Sequence, residues 1–280
     1  MKELTALIKR YLGIVNNFAG QQAERRARMN LYQKVTTALL QRVKINVEAL
    51  APLLKLYAKS DAYFTPIALI LRSITSDFLT FCYFTTFYTE DDNFETLENE
   101  INLHDRDFLR SILEVTDAEK TIHKHEPFSD YLYRNEREQL RRIDQLTRRF
   151  RYLIDSRVRG KKIKPKSTKE IRLTSNDDLF FTKSERENPK IAITEKYKFD
   201  RMARFAFKKY VLAYIAFKYF SQFQHFSTQA DELNQNANLG RNEYFLTVGI
   251  DLVLVMTTIC VSVIDPDDKK TIESLNKLYV

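Results

Sequence analysis

Apolar residues recur every three to four positions along most of this chain, and few residues interrupt them. The first stripe consists of Leu4, Leu7, Ile8, Tyr11, Leu12 and Val15. This spacing places apolar side chains on one face of an α-helix. Only 5 Gly and 6 Pro occur in 280 residues, whereas β-rich folds need turn residues every few positions. The sequence therefore predicts an all-α fold, built as a multi-helix bundle.

The N-terminal third of the chain contains a sharply defined apolar helix. Two helices are predicted between about residues 4 and 58, with Gly20 as the break between them. Thr65 can then cap a helix whose first turn contains Pro66, a position where the missing N–H costs nothing. That helix is predicted over 67–88 and is apolar nearly all round, as buried helices are.

The spacing of apolar residues also predicts helices in the rest of the chain. A weaker helical pattern covers 94–124, and a longer basic helix begins near Pro127. A long aromatic helix is predicted over 194–227, and a last apolar helix over 242–264. We therefore expect N-terminal helices over 1–46 that pack on a bundle over 47–264, and a tail over 265–280. The bundle includes a basic helix and a long charged loop or insertion at 134–190.

Positive charge is concentrated in one part of the chain. The net charge is +8, but residues 134–172 contain fifteen Lys and Arg against five Asp and Glu, a local charge of +10. A local patch suggests an anionic partner such as RNA, although a solvated face explains the same pattern. The candidate nucleic-acid-binding residues are Arg141, Arg142, Arg148, Arg149, Lys161 and Lys162.

Two features of the sequence indicate the cellular compartment in which the protein is expected. Cys82 and Cys260 lie in apolar runs, which predicts buried free thiols and a cytoplasmic protein. The run from Tyr244 to Ile264 is long enough to span a bilayer, but Asp251 lies inside it, where a carboxylate is costly. Thr247, Asp251, Thr258 and Ser262 also share one face. The sequence favours a soluble bundle, with a membrane protein as the less favoured alternative.

One helical face carries most of the candidate chemistry. Tyr214, Lys218, Ser221 and His225 follow one another at steps of four, three and four residues, so they share a face. A neutral imidazole can accept a proton from a hydroxyl, and a nearby cation can stabilise developing negative charge. We therefore consider His225 a candidate general base. The alternative is a histidine that only hydrogen-bonds to a neighbouring helix.

Arg72 and Asp77 interrupt the apolar helix over 67–88. A buried guanidinium must be paired or reach water, and Asp251 on another apolar helix is a natural partner. That interpretation makes the pair a structural salt bridge. The alternative brings Arg72 beside His225 in a polar cleft, where arginine can hold a phosphate bidentately.

Metals and cofactors are not predicted. His123 and His125 form a His-x-His pair, and His104-Asp105 lies upstream, but both occur in a charged region that reads as a solvated loop. The chain has no Cys pair and no His-Glu-x-x-His motif of a zinc site. It also lacks a Gly-rich phosphate loop, a serine elbow and a kinase signature.

Two short segments resemble a known group of helical proteins. Ala68-Leu69-Ile70-Leu71-Arg72-Ser73-Ile74 resembles the "L-x-R-S" entry into a buried helix in uncharacterised bacterial proteins related to the HEPN superfamily. Tyr219-Phe220-Ser221-Gln222-Phe223-Gln224-His225 resembles the later "Y-x-x-S-x-x-x-H" segment of that group. The order of the segments and the charged insertion between them also agree.

This resemblance implies a HEPN-like bundle whose central helices carry the arginine and the histidine. Many HEPN proteins are metal-independent RNases of toxin–antitoxin or phage-defence systems and act as dimers. Their signature is an Arg, then four to six residues, then a His on one helix, whereas the residue seven positions before His225 in this chain is Lys218 and not Arg. The implied site consists of His225 as general base, Arg72 and Lys218 as phosphate binders, and Ser221 as an orienting group. Implied partners are RNA, a second copy of the chain, and an antitoxin or defence protein. A non-catalytic interaction module is the alternative.

Overall fold

The computed structural model describes residues 2–90, 97, 100, 101, 104, 195–204, 211–224 and 239–279. We number its helices α1 (Lys2–Gln22), α2 (Leu31–Tyr57), α3 (Phe64–Glu90), α4 (Glu195–Arg204), α5 (Val211–Ser221), α6 (Leu239–Ile264) and α7 (Lys269–Asn276). Short 3-10 turns occur at Arg26–Arg28, Asp61–Tyr63 and Gln222–Gln224. Strands are absent from these residues, and the prediction of an all-α bundle is confirmed for them.

The chain divides into two compact units. The first comprises Met1–Phe94 and Thr194–Val280, and it contains all seven numbered helices. The second comprises Glu95–Ile193, and four of its residues, all helical, are described. The predicted weak helix at 94–124 and the basic helix and loop at 134–190 therefore fall outside the described residues, apart from those four.

The two predicted N-terminal helices are present, but the break between them lies later than expected. Gly20 is inside α1, which continues to Gln22. The prediction of a break at Gly20 is wrong because an isolated glycine only weakens a helix. The start of α2 is fixed by Asn30, whose side chain accepts from the backbone N–H of Gln33 while the Gln33 side chain accepts from the backbone N–H of Asn30. This reciprocal capping satisfies two of the donors that a helix start leaves free.

The apolar helix α3 begins slightly earlier than its sequence signals indicate. The chain enters it through the 3-10 turn at Asp61–Tyr63, which Ser60 caps. Thr65 therefore lies inside the first turn of α3 and is not its cap, whereas Pro66 occupies that turn as predicted. The helix ends at Glu90, where the acidic run begins.

Helices α4 and α5 replace the single long aromatic helix predicted over 194–227. Ser76, Thr80 and Thr86 of α3 bond in turn to Glu195, Lys198 and Arg201, so α4 runs parallel to α3. Phe64 instead packs against Phe223, and Arg72 bonds to Ser221 and lies over Phe217, so α5 runs antiparallel to α3. The prediction of one continuous helix is wrong, because the two halves run in opposite directions along α3.

Helix α3 lies at the centre of the first unit and contacts α2, α4, α5 and α6. Residues Ile67, Leu71, Ile74 and Phe78 are fully buried in it. Helix α6 approaches α3 closely where Gly249 faces Leu71, since a Cβ at position 249 would lie 3.0 Å from both Leu71 methyl groups. The glycine thus sets the distance between these two helices.

Helix α6 ends at Ile264 before Asp265-Pro266, as predicted. The segment after it, which we expected to be a tail, contains α7. Asp268 caps α7 by accepting from the backbone N–H of Thr271 at 3.0 Å, and Leu275 and Leu278 are buried. Asp265 accepts from Gln22 and Arg25, which ties this end of α6 to the end of α1.

Among the residues that the structure describes, two segments are long and apolar enough to cross a membrane, namely Asp61–Tyr88 and Gly240–Ile264. In the most apolar stretch of each segment, 72% of the first and 61% of the second is buried inside the protein. Core helices of soluble proteins have the same length and composition. On the more exposed side of α6, the hydroxyls of Thr247 and Ser262 bond to carbonyls of their own helix.

Candidate functional site

The predicted site residues Arg72 and Ser221 are in direct contact. Arg72 lies one-third of the way along α3, and Ser221 is the last residue of α5. Arg72 Nε donates to Ser221 Oγ over 3.1 Å, across 149 positions of sequence. The antiparallel packing of α3 and α5 thus joins the two segments that carry the HEPN resemblance.

The guanidinium of Arg72 is held on two sides. Its Cζ lies 5.1 Å from the centroid of the Phe217 ring, a cation–π contact. Ser221 accepts from Arg72 while its own hydroxyl donates to the carbonyl of Phe217 at 2.7 Å. Since Nε is used by Ser221, the terminal amino groups of Arg72 are the donors that remain for an anion.

Within the part of the chain that the structure describes, no carboxylate pairs with Arg72. Asp251, the predicted partner, lies on the exposed side of α6, where partial burial raises the pKa of its carboxyl. Asp77 is buried and forms an ion pair with Arg42 of α2, at 3.2 Å from Nε to Oδ2. The predicted salt bridge between Arg72 and Asp251 is therefore wrong among these residues.

Lys218 lies on the same face of α5 as Ser221, as the spacing predicted. Its side chain is exposed, and Nζ lies 5.6 Å from the centroid of the Tyr214 ring. Tyr214 and Phe217 are adjacent rings, 6.5 Å apart with an angle of 21° between their planes. Each of the two cations therefore contacts one ring of the same aromatic pair.

The remaining predicted site residues lie outside the described residues. They are the candidate base His225, which follows the 3-10 turn at Gln222–Gln224, and the basic residues Arg141, Arg142, Arg148, Arg149, Lys161 and Lys162. Of the histidines considered as metal ligands, His104 is described and His123 and His125 are not. A search of the described residues finds no group of three side chains that could hold a metal ion.

A buried polar cluster between α3 and α4 was not predicted. Lys198 is 4% exposed and donates to Thr80 Oγ1 at 2.8 Å, and its Nζ lies 3.9 Å from Glu195 Oε1. Burial lowers the pKa of Lys198, and it raises the pKa of the nearby Asp77 to about 6. The sequence did not reveal this cluster because the aromatic pattern over 194–227 says nothing about which of the lysines in Glu195–Arg204 is buried.

A second polar region lies where α1 and α6 end and α7 begins. It is an open cleft of about 280 Å³ lined by Gln21, Gln22, Arg25, Asp265, Asp267 and Asp268. Its charged groups are largely paired within the chain, since Asp265 accepts from Gln22 and Arg25, and Asp268 caps α7. We therefore regard this cleft as a structural junction.

Comparison with known proteins adds no relative. No protein-family model, no curated protein and no solved structure matches this chain. The resemblance to HEPN-related proteins therefore stays a prediction.

Proposed function

We propose that this chain is an RNA-directed helical protein whose phosphate contact is the surface around Arg72, Lys218 and Ser221. The proposal rests on the burial and the contacts of the Arg72 guanidinium. It is half-buried and fixed by Ser221 and Phe217, and no described carboxylate neutralises it. A fixed guanidinium with free terminal amino groups is suited to binding a phosphate through two hydrogen bonds.

The roles of the residues follow from their contacts. Arg72 supplies the oriented donors, and Ser221 fixes the guanidinium plane by accepting from Nε. Lys218 adds a second, exposed positive charge on the same face. The basic tract at 134–172 is proposed as a further, sequence-independent contact with the phosphate backbone.

The HEPN resemblance extends this proposal to catalysis. In that form the protein is a metal-independent RNase of a toxin–antitoxin or phage-defence system. His225 is the general base that accepts the proton of the attacking 2′-hydroxyl, and the two cations stabilise the developing negative charge. The role of His225 is assigned from its sequence position.

Binding of a fluorescent single-stranded RNA tests the phosphate contact. We expect Arg72→Gln to weaken binding at least about ten- to hundredfold, which corresponds to the loss of one hydrogen bond to a charged group at about 1.5–3 kcal/mol. Arg10→Gln, which removes an exposed arginine of α1, is the charge-matched control and should bind almost as the wild type does. Equal binding by Arg72→Gln and the wild type, with both folded, would refute the phosphate role.

Cleavage of the same RNA in excess chelator tests catalysis. We expect cleavage by the wild type and its loss in His225→Ala. Robust cleavage by His225→Ala would exclude the histidine as the base, and binding without cleavage by the wild type would leave an RNA-binding protein that is not an RNase.

A non-catalytic interaction module is the second candidate. It is favoured by the Ser221 hydroxyl, which is occupied both as acceptor for Arg72 and as donor to Phe217. In that case Arg72 and Ser221 join α3 to α5 and support a surface for a protein partner. This function predicts that His225→Ala lowers the melting temperature and abolishes no activity, so an unchanged melting temperature would count against it.

A further inference from the structure

Polar side chains of helix α4 bond to side chains of α3. Among its side chains whose burial is described, Lys198 and Met202 are buried. Glu195 accepts from Ser76 at 2.9 Å, and Lys198 donates to Thr80 at 2.8 Å. A buried lysine in a polar seam fixes the position of a helix along its partner, because any shift leaves the ammonium without its bonds.

The bonds of Glu195 and Lys198 to α3, which we call the polar seam, fix the position of the residue after Lys198, which is Phe199. The Phe199 ring stacks on Tyr214 of α5, with centroids 4.5 Å apart and 17° between the planes. Tyr214 in turn lies beside Phe217, at 6.5 Å and 21°. The three rings form a continuous strip from α4 across α5, which we call the aromatic strip (Phe199, Tyr214 and Phe217).

The aromatic strip carries both cations of the proposed anion site. Lys218 Nζ lies 5.6 Å from the centroid of Tyr214, and Arg72 Cζ lies 5.1 Å from the centroid of Phe217. Each contact is an attraction of a cation to a ring face. The positive charges of Lys218 and Arg72 repel each other, and the attraction of each cation to its aromatic ring offsets part of that repulsion.

We propose that α4 is the positioning element of the anion site. The polar seam holds Phe199, and Phe199 fixes the Tyr214 ring. The Tyr214–Phe217 pair then holds Lys218 and Arg72 where both side chains bind one phosphodiester of single-stranded RNA. This inference rests on the proposed RNA-directed function. Phe199 is a positioning residue here and makes no contact with the phosphate.

RNA binding tests the positioning role with a conservative series at one position. Phe199→Leu removes the stacking and should weaken binding of the labelled RNA about two- to tenfold, the equivalent of an aromatic pair. Phe199→Tyr keeps the ring and should restore wild-type affinity. Phe18→Leu, a buried phenylalanine of α1, is the matched control for a general loss of stability and should leave affinity unchanged.

A second measurement needs no RNA and follows the Arg72 side chain directly. The Nε–H of Arg72 is protected from exchange by its bond to Ser221, and its exchange rate can be measured by NMR. We expect faster exchange in Phe199→Leu, and wild-type exchange in Phe199→Tyr and Phe18→Leu.

The two measurements distinguish the possible failures. If the wild type does not bind RNA but Phe199→Leu still accelerates Nε–H exchange, the RNA function fails and the positioning role stands. If RNA binds and Phe199→Leu changes neither affinity nor exchange, the positioning role is wrong. Equal effects in Phe199→Leu and Phe18→Leu would also overturn it, because they would show a general loss of stability.

Discussion

Asp77 shows at the scale of one residue how the fold changes the chemistry of a side chain. It is 6% exposed, and burial raises the pKa of its carboxyl to about 6, against the lowering effect of Arg42 and Lys198. The folded protein therefore binds a proton at Asp77 at a pH where the unfolded chain has already lost it. A group of this kind makes the free energy of unfolding rise as the pH falls through its folded pKa.

The pH dependence of stability tests this reading of Asp77. As the pH falls from 7 to 4, the wild type should gain about 2–3 kcal/mol in free energy of unfolding relative to Asp77→Asn, because asparagine binds no proton. Urea unfolding of both proteins across this range measures the difference, and other carboxyl groups cancel because both proteins contain them. Parallel curves would show that Asp77 has an ordinary pKa in the folded state.

Individual residues also show what periodicity can and cannot reveal. The steps between Lys218 and Ser221 correctly predicted a shared helical face, since helical geometry is local. The sequence suggested Asp251 or His225 as the neighbour of Arg72, and it did not predict the contact with Ser221, because sequence spacing does not show which side chains from different helices meet. Burial of Lys198 was not predicted, since the sequence gives no sign that a lysine is buried before its neighbours in the fold are known.

At the scale of elements, close packing between α3 and α6 depends on one glycine. A side chain at Gly249 would press on the methyl groups of Leu71, which is fully buried. Buried side chains in a close-packed interior move little, so added atoms cause strain. Gly13 in α1 provides the contrast, because nothing lies within 4 Å of a Cβ built there.

The same substitution at the two glycines separates packing from helix propensity. We expect Gly249→Val to lower the free energy of unfolding by about 1–3 kcal/mol through overpacking. Gly13→Val should leave it unchanged or raise it by a few tenths of a kcal/mol, about the difference in helix propensity. Chemical denaturation measures both, and similar values for the two variants would show that α3 and α6 separate easily.

Some local helix signals in the sequence were reliable, whereas the break at Gly20 and the cap at Thr65 were not. The apolar run, the first-turn proline and the acidic run predicted α3 to within a few residues, and Asp265-Pro266 correctly marked the end of α6. The aromatic pattern over 194–227 predicted one helix, whereas α4 and α5 run in opposite directions. The period of the pattern is the same before and after a reversal, so periodicity alone could not reveal it.

At the scale of the whole molecule, the two most apolar segments raise the question of a membrane. Both are largely buried against other helices of the first unit, and Asp77 in one of them pairs with Arg42. Cys82 and Cys260 are free and buried, which confirms the prediction that both are buried free thiols. In the first unit the apolar helices form the core, and the expectation of a soluble bundle stays a prediction.

Fractionation of cells that express the chain tests this expectation. We expect the protein in the supernatant after high-speed centrifugation, without detergent and at ordinary salt. A membrane-anchored reporter and a soluble reporter in the same cells provide the controls. Recovery of the chain only after detergent extraction would favour the membrane alternative over the soluble bundle.

By itself the sequence determined that most of the described chain is helical and which faces of the long helices are apolar, although it missed α7 and the reversal between α4 and α5, because proline positions and the helical period act over a few residues. It also identified Arg72, Lys218 and Ser221 as residues of interest. Only the tertiary structure decided that Arg72 meets Ser221 and Phe217 and not Asp251. That choice depends on which helices pack against α3 and in which direction they run, and both follow from burial summed over the whole bundle.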